Sequence, residues 1–135
     1  MADWKHVYSN LETPLLFLER SAQVYPNKTA VIYGDQRVTY REFAQRVNRL
    51  ASALRARGLQ KGERVAFLCP NTPPLLEAHF GVLLAGGLLV AINTRLSKHE
   101  IAYILEHSGA RFLFADTELL QPVQDVLAGI EPLEE

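Results

Sequence analysis

The chain has 135 residues, 48% of them hydrophobic and 21% charged, which is the composition of one soluble globular domain with a buried core. The 14 Lys and Arg nearly balance the 15 Asp and Glu, so the formal net charge is −1 and nothing favours a nucleic-acid or anionic-lipid partner. Cys69 is the only cysteine, which excludes an internal disulfide and suits a reducing compartment, so we expect a cytoplasmic protein.

The first predicted elements are a helix and a β-hairpin. Thr13 is followed by proline, the arrangement of an N-cap with Pro at the first helical position, and the helical pattern stops at Tyr25. Residues 30–33 and 36–40 are β-prone and flank a Gly-Asp pair at 34–35. Two short strands around such a pair predict a hairpin.

A second helix is predicted by both its start and its stop. Thr39 and Glu42 have the spacing of a capping box, and Val38 and Phe43 flank them as a hydrophobic staple. The apolar stripe of this helix ends before Gly58, which supplies a left-handed stop. We therefore expect a surface helix packed on a sheet.

From residue 65 the apolar pattern becomes continuous. Residues 65–69 are apolar without alternation, as in a parallel strand covered on both faces. Thr72 is predicted to cap a third helix that begins at Pro73 and stops at Gly86. The small residues of this helix predict close packing against a neighbour.

The pattern then repeats. Residues 88–92 predict a strand, Ser97 and Glu100 a second capping box, and residues 112–115 another strand. A final helix is predicted around residues 121–127, although proline at 122 must lie near its start. The order predicts an α/β fold in which a β-hairpin accompanies a parallel βαβαβ unit with flanking helices.

The domain organisation follows from these elements. We predict a tail at 1–10, one packed unit at 11–129 and an acidic tail at 130–135. The longest apolar stretch, residues 80–92, is interrupted by glycines and falls short of the roughly 20 residues of a membrane span. The small sheet, its bare edges and the apolar helix faces indicate that the unit leans on more protein.

The motifs that carry catalysis or metal binding do not occur in the chain. It contains no G-x-G-x-x-G, no G-x-x-x-x-G-K-[ST] and no G-x-S-x-G motif, and its four histidines do not pair at zinc-site spacing. We therefore predict no catalytic residue, no metal ligand and no cofactor for these residues. His79, in the third helix, is either a half-buried structural histidine with one hydrogen bond or a functional group.

The loops after two strands hold the remaining candidates. Open α/β sheets bind ligands at the carboxyl ends of their strands, where residues 70–73 and 93–96 follow the first two parallel strands. Asn71, Asn93 and Arg95 are the edge candidates for binding a cofactor. Arg95 would meet a phosphate or carboxylate, brace a neighbouring domain or remain solvated.

Several blocks of sequence, in order, resemble one enzyme superfamily. The blocks 13–43, 46–71, 75–96 and 103–116, the third reading LLEAHFGVLLAGGLLVAINTRL, are similar to the N-terminal region of adenylate-forming acyl-CoA synthetases. The likeness runs from residue 11 to about 116. The strings EAHFG and NTRL make the chain look most like acid–CoA ligases for short- and medium-chain, aryl- or methylthio-alkanoic acids.

The resemblance implies a two-step reaction in which a carboxylic acid and Mg-ATP form an acyl-adenylate and pyrophosphate, and CoA then displaces AMP. The family's Ser/Thr/Gly/Lys phosphate loop, metal-binding Glu, ribose-binding Asp and C-terminal Lys have no counterpart among these residues. The chain is thus expected to be an N-terminal scaffold that neither adenylates alone nor needs a cofactor, whereas the full-length family uses ATP, Mg and CoA. Its expected partner is the remainder of the ligase or a second copy; the alternative is a stand-alone binding or dimerisation module.

Overall fold

The computed structural model describes residues 13–130 and residue 133, so the predicted tail at 1–10 lies outside the described residues. The helices are α1 (Pro14–Val24), α2 (Tyr40–Ala56), α3 (Pro73–Ala85), α4 (Lys98–Ser108), α5 (Thr117–Leu120) and α6 (Gln124–Leu127). The strands are β1 (Thr29–Tyr33), β2 (Gln36–Thr39), β3 (Arg64–Leu68), β4 (Leu88–Ala91) and β5 (Ala110–Ala115). No helix in this part of the chain is long and apolar enough to cross a bilayer.

The strands form two separate sheets. β1 and β2 pair antiparallel, and β4, β3 and β5 form a parallel sheet in that order, with β3 in the middle. Ala66 of β3 lies beside Val90 of β4 and Leu113 of β5. The α/β class, the hairpin and the parallel βαβαβ unit predicted from the sequence are confirmed.

The central strand explains why its sequence is apolar throughout. Val65 and Phe67 pack with α2 and α3 in one core cluster, whereas Ala66 and Leu68 pack with α4 and the C-terminal turns in another. All four side chains are buried because helices cover both faces of the sheet. A third cluster, centred on Phe43, joins α2 to α1 and the hairpin.

Helix α3 packs closely on α2 through its small residues. A methyl group at Gly81 would lie 2.7 Å from Cδ2 of Leu50, so the glycine is what allows this approach. The predicted close packing is confirmed, but the bulky residues of α3 do not form its buried face. Leu76 and Leu83 are each 40% exposed, and the buried positions are Pro73, Ala78, Gly81, Val82 and Ala85.

The predicted helix starts are correct at two helices and wrong in detail at a third. Both capping boxes form, because Thr39 and Ser97 each accept from the backbone N–H three residues on while the glutamate there accepts from the cap. Thr72 occupies the N-cap position of α3 but caps nothing with its side chain, since its hydroxyl donates to the Pro70 carbonyl at 3.2 Å.

The C-terminal region differs from the single helix predicted at 121–127. Helix α5 starts earlier, a 3-10 turn at Gln121–Val123 follows, and α6 ends at residue 127. Pro122 lies inside the 3-10 turn and cannot donate the hydrogen bond that a continuous α-helix requires. Ile130, assigned by the sequence to the tail, is buried in the same cluster as Val123, and Leu133 packs against it.

Candidate functional site at the carboxyl edge of the sheet

The loops that follow the three parallel strands start from one rigid edge. The backbone N–H of Ile92 donates to the Phe67 carbonyl, and that of Asp116 donates to the Leu68 carbonyl, both at 2.9 Å. The two outer strands are thereby held to β3 up to the point where their loops begin. This edge positions the candidate residues of the two β-α loops.

A cavity of about 480 Å³ opens between the loops after β3 and β4. Asn71, Asn93 and Arg95, the three candidates named from the sequence, all line it. Thr94, within the predicted loop 93–96, also lines it, as do Cys69 and Leu75, which sequence reasoning did not assign to the site. The only signal for these two residues is that they adjoin the loop 70–73, since Cys69 directly follows β3 and Leu75 lies in the first turn of α3.

The loop after β4 is ordered by an asparagine. Oδ1 of Asn93 accepts from the backbone N–H of Arg95 at 3.0 Å, which is an Asx turn and leaves the side-chain NH₂ of Asn93 as a donor. The Arg95 side chain is exposed and makes no hydrogen bond or ion pair within residues 13–130. A guanidinium in this position can form a bidentate contact with a phosphate or a carboxylate.

The N-terminus of α3, which borders the cavity, does not provide an anion site. Residues 73 and 74 are prolines and have no N–H to donate, so the first turn lacks the usual donors. The next two N–H groups, of Leu75 and Leu76, point back to the Thr72 carbonyl at 3.1 and 3.3 Å. A helix N-terminus binds phosphate only through free N–H groups, and here none of the first four is free.

The other two helices that begin at this edge are capped by their own carboxylates. Glu100 accepts from the N–H and the hydroxyl of Ser97 at 2.8 and 2.7 Å, and these bonds, the hydroxyl's first, lower the pKa of Glu100. Asp116 accepts from the N–H of Glu118 at 3.1 Å at the start of α5. A negative charge of the protein itself thus already occupies each helix N-terminus.

Cys69 does not have the environment of a nucleophile. Burial raises the pKa of its thiol, and the negative charge of Asp116 raises it further. A reactive cysteine needs the opposite, a depressed pKa in an electropositive setting. The thiol is half-buried and serves as a small apolar side chain in the wall of the cavity.

His79 does not line this cavity, although it shares a neighbouring one of about 290 Å³ with Asn71. Its Nδ1 is 2.7 Å from the Leu75 carbonyl, so that nitrogen carries the proton and donates. The single hydrogen bond matches the structural alternative, but the side chain is exposed rather than half-buried, because the buried face of α3 passes through Ala78 and Val82. Among the described residues no three His, Cys, Asp or Glu side chains come together as a metal site.

Comparison with known proteins supplies the context for this edge. Residues 18–134 match the family of AMP-binding enzymes. The 4-hydroxybutyrate–CoA ligase 2 of Metallosphaera sedula is 46% identical over 114 residues, covering 84% of this chain and 21% of that protein. The peroxisomal trans-cinnamate:CoA ligase of Petunia hybrida is 44% identical over 115 residues, covering 85% of this chain and 20% of that protein.

A solved structure gives the same result. A benzoate CoA ligase from Burkholderia xenovorans superposes with a TM-score of 0.81 at 35% identity, covering 88% of this chain and 24% of that one. The chain therefore spans about a fifth of the length of the curated relatives it matches.

Proposed function

Since the chain belongs to the AMP-binding enzymes, and among them to the adenylate-forming acyl-CoA ligases, we propose that it is the N-terminal scaffold portion of an acid–CoA ligase. Such an enzyme converts a carboxylic acid, ATP and CoA into acyl-CoA, AMP and pyrophosphate. The observation that carries the proposal is that 88% of this chain superposes on 24% of a CoA ligase with a TM-score of 0.81. Short- and medium-chain or aryl acids are the proposed substrate class of the complete enzyme.

The isolated 135-residue chain is proposed to be inactive. ATP with Mg²⁺ requires several converging cations or free N–H groups, and the residues at the carboxyl edge do not fit this requirement. Each helix N-terminus there is filled by proline, a carbonyl or a carboxylate, which leaves Arg95 as the cation in the cavity wall. ATP, Mg and CoA are therefore cofactors of the complete ligase and not of this portion.

The inactivity is tested by pyrophosphate release. The purified chain is incubated with ATP, Mg²⁺, CoA and a panel containing butyrate, 4-hydroxybutyrate and benzoate, beside a complete ligase as positive control. We expect no release above the protein-free rate. Acid-dependent release by the chain would contradict the proposal.

The scaffold role is tested by a chimaera. The segment of the Metallosphaera sedula ligase that aligns with this chain is replaced by the corresponding residues of this chain, and 4-hydroxybutyrate-dependent pyrophosphate release is measured. A scaffold of the right family should restore a folded, active enzyme. A chimaera that folds but has no activity would argue for the alternative, a stand-alone binding or dimerisation module.

Asn71, Asn93 and Arg95 are proposed to form the edge that meets a ligand or the next part of the ligase. Arg95 would pair there with a phosphate or a carboxylate, because its guanidinium is exposed beside two amides in one cavity. In the active chimaera Arg95→Ala should reduce kcat/KM, whereas Arg20→Ala, an exposed arginine on α1, should leave it unchanged. Equal values for the two variants would remove Arg95 from the site.

The proposed partner is the remainder of the ligase or a second copy of the chain. Among the described residues neither outer strand of the parallel sheet has a further strand beside it, and Leu88 of β4 and Phe114 of β5 are 55% and 39% exposed there. Apolar side chains beside an unpaired edge favour further strands or another protein. Sedimentation of the isolated chain across concentrations distinguishes the two, since only a second copy predicts self-association.

The proposed compartment is the cytoplasm. Its support is the single Cys69, which is reduced and half-buried and has no cysteine partner in the sequence. A fluorescent fusion of the chain that collected in an organelle would contradict this placement.

A further inference from the structure

The cavity of about 480 Å³ at the carboxyl edge of the sheet, which we call the edge cavity, has the lining of an anion site. Its walls include the guanidinium of Arg95 and the amides of Asn71 and Asn93, and among residues 13–130 no Asp or Glu lines it. Asp116, which follows β5, lies outside its wall and caps α5. A ligand that enters the edge cavity therefore meets one positive charge and several hydrogen-bond donors.

The two loops that carry these donors are ordered by their own hydrogen bonds. Because Oδ1 of Asn93 accepts from the backbone N–H of Arg95 at 3.0 Å, the NH₂ of the same amide is the group left to donate. In the loop after β3, the N–H and the hydroxyl of Thr72 both donate to the Pro70 carbonyl, at 2.7 and 3.2 Å, across Asn71. The donors are thus positioned before a ligand arrives, which reduces the entropy lost on binding.

The remaining wall of the edge cavity is apolar. Leu75 of α3 and Ile92, the residue after β4, line it together with Cys69. Burial raises the pKa of the Cys69 thiol, so this side chain is neutral at physiological pH and adds to the apolar surface. The cavity volume is in the range of small-molecule sites. A ligand with an apolar body beside its charged group would contact this wall.

The single guanidinium decides which anion fits. A carboxylate carries one negative charge and has two oxygens in one plane, which match the paired N–H groups of Arg95. A phosphate monoester carries about 1.5 to 2 negative charges at pH 7, so it needs a second cation. Among the described residues no three His, Cys, Asp or Glu side chains come together to hold a metal ion that could supply it. The charge balance therefore favours a monocarboxylate.

We propose that the edge cavity binds a monocarboxylic acid with a short aliphatic or aromatic body. The carboxylate contacts the guanidinium of Arg95 and the NH₂ of Asn93, and the body contacts Leu75 and Ile92. The inference rests on the proposed function of this edge as the place that meets a ligand, and it narrows that ligand from a phosphate or carboxylate to a carboxylate. Binding requires no ATP, so it can be measured apart from catalysis.

The binding is tested on the ¹⁵N-labelled 135-residue chain by NMR titration with butyrate and benzoate. Both acids should shift the signals of the Arg95 backbone N–H and the Asn93 side-chain NH₂ saturably at millimolar concentrations. Butyramide and benzamide have the same bodies without the charge and should bind about tenfold more weakly. Inorganic phosphate should also bind more weakly than butyrate. No saturable shift, or an equal affinity for butyramide or phosphate, would overturn the proposal.

Two variants locate the carboxylate in the cavity. Arg95→Ala removes the guanidinium, and the fold should not change because this side chain has no partner in residues 13–130. Asn93→Asp keeps an oxygen that accepts from the Arg95 N–H, so the turn remains, but it replaces the donor NH₂ with a carboxylate that repels the ligand. Each variant should weaken butyrate binding about tenfold or more.

Matched controls make the same changes of charge elsewhere. Arg20→Ala on α1 removes one positive charge and Gln45→Glu on α2 adds one negative charge, both at exposed positions that do not line the edge cavity. Both should bind butyrate like the parent chain, and circular dichroism checks that all variants are folded. If the controls lose as much affinity as the cavity variants, the edge cavity is not the site.

A carboxylate can also come from the side chain of a neighbouring part of the ligase. N-acetylglutamate amide presents that group on a polar body and should bind more weakly than butyrate, because it gains less from the apolar wall. Tighter binding of this compound would assign the cavity to a protein side chain and overturn the free acid.

The two proposals fail in different ways. An inactive chimaera, with butyrate binding by the isolated chain, contradicts the scaffold role alone. An active chimaera, without butyrate binding by the isolated chain, contradicts this inference alone.

Discussion

The two ends of the parallel sheet use arginine in opposite ways. At the amino end Arg64 is half-buried, and its guanidinium donates to the carbonyls of Ser108 and Gly109 at 2.5 and 2.7 Å. These carbonyls belong to the last residue of α4 and to the C-cap that follows it, where a cation is favourable. At the carboxyl end Arg95 is exposed and its side chain has no partner in residues 13–130.

A second arginine of the amino end repeats the pattern. Arg111 donates to the Gly58 carbonyl at 2.7 Å, just after α2, and pairs with Glu63 at 2.8 Å. The amino end therefore uses its polar groups to close helix ends, which stabilises the fold. At the carboxyl end the side-chain NH₂ of Asn93 and the guanidinium of Arg95 line a cavity and are available to a ligand or a neighbouring domain.

Among the tests of this contrast between the two ends of the sheet, we expect Arg64→Ala to have the largest effect on stability. The substitution leaves two carbonyls of α4 without their charged donor, and we expect the free energy of unfolding to fall by about 2 kcal/mol. Arg95→Ala is the matched control, with an expected loss under about 0.5 kcal/mol. Urea titrations at unchanged m-value measure both, and similar losses would mean that the two ends do not differ in this way.

A second comparison lies within the carboxyl end, between two N-cap positions. Ser97 caps α4 through both bonds of its box, so Ser97→Ala should cost about 1 kcal/mol of unfolding free energy. Thr72 occupies the same position at α3 without capping, so Thr72→Ala should cost under about 0.5 kcal/mol. A larger loss for Thr72 in urea unfolding would show that its bond to Pro70 organises the loop.

The capping boxes also show which parts of the fold the sequence predicts. Thr39 with Glu42 and Ser97 with Glu100 could be recognised because each box is complete within four residues. Thr72 has the same residue type before a helix, but the Pro70 carbonyl competes for its hydroxyl. That competition depends on the backbone of the loop, which a list of residues does not specify.

Contacts between distant residues were harder to predict than local ones. Nothing in the sequence near Arg64 or Arg111 indicates that the carbonyls they meet lie 44 to 53 residues away. The small residues of α3 did predict its close packing, but only the structure shows that the side chain packed against Gly81 is Leu50 of α2.

For the candidate site, too, the chain order could be predicted but the hydrogen-bond partners could not. The order of strands and helices predicts that the loops of Asn71, Asn93 and Arg95 share one edge of the sheet. The structure places all three residues in the wall of one cavity. The sequence does not predict that the N–H groups at every helix N-terminus there already have partners. This depends on which N–H groups the carbonyls and carboxylates reach.

The pH dependence of stability should show the contribution of Glu63 at the amino end of the sheet. The N–H of Gln60 and the guanidinium of Arg111 lower the pKa of Glu63 below its ordinary value of 4.5. A depressed carboxyl pKa contributes stability above the ordinary value, and this contribution is lost as the pH falls below 4.5. The stability difference between the parent chain and Glu63→Gln should therefore shrink on acidification.

Urea midpoints from neutral pH down to the acid limb give this difference directly. Glu19→Gln, at an exposed carboxylate of α1, reports the effect of removing one negative charge without disturbing the amino end. A Glu63→Gln difference that stayed constant, or followed the control, would place the Glu63 interaction outside the folding equilibrium.

The smallest expected effect concerns Cys69, whose thiol pKa is raised by burial and by the negative charge of Asp116. Asp116→Asn removes the charge while keeping an oxygen that can accept from the N–H of Glu118, so α5 stays capped. The thiol pKa should fall, and more thiolate at a given pH should speed alkylation of Cys69 by less than tenfold, because burial, the larger cause, remains. The rate of alkylation by iodoacetamide, measured from pH 7 to about 9, tests this expectation. An unchanged dependence of the rate on pH would mean that the charge of Asp116 does not act on the thiol of Cys69.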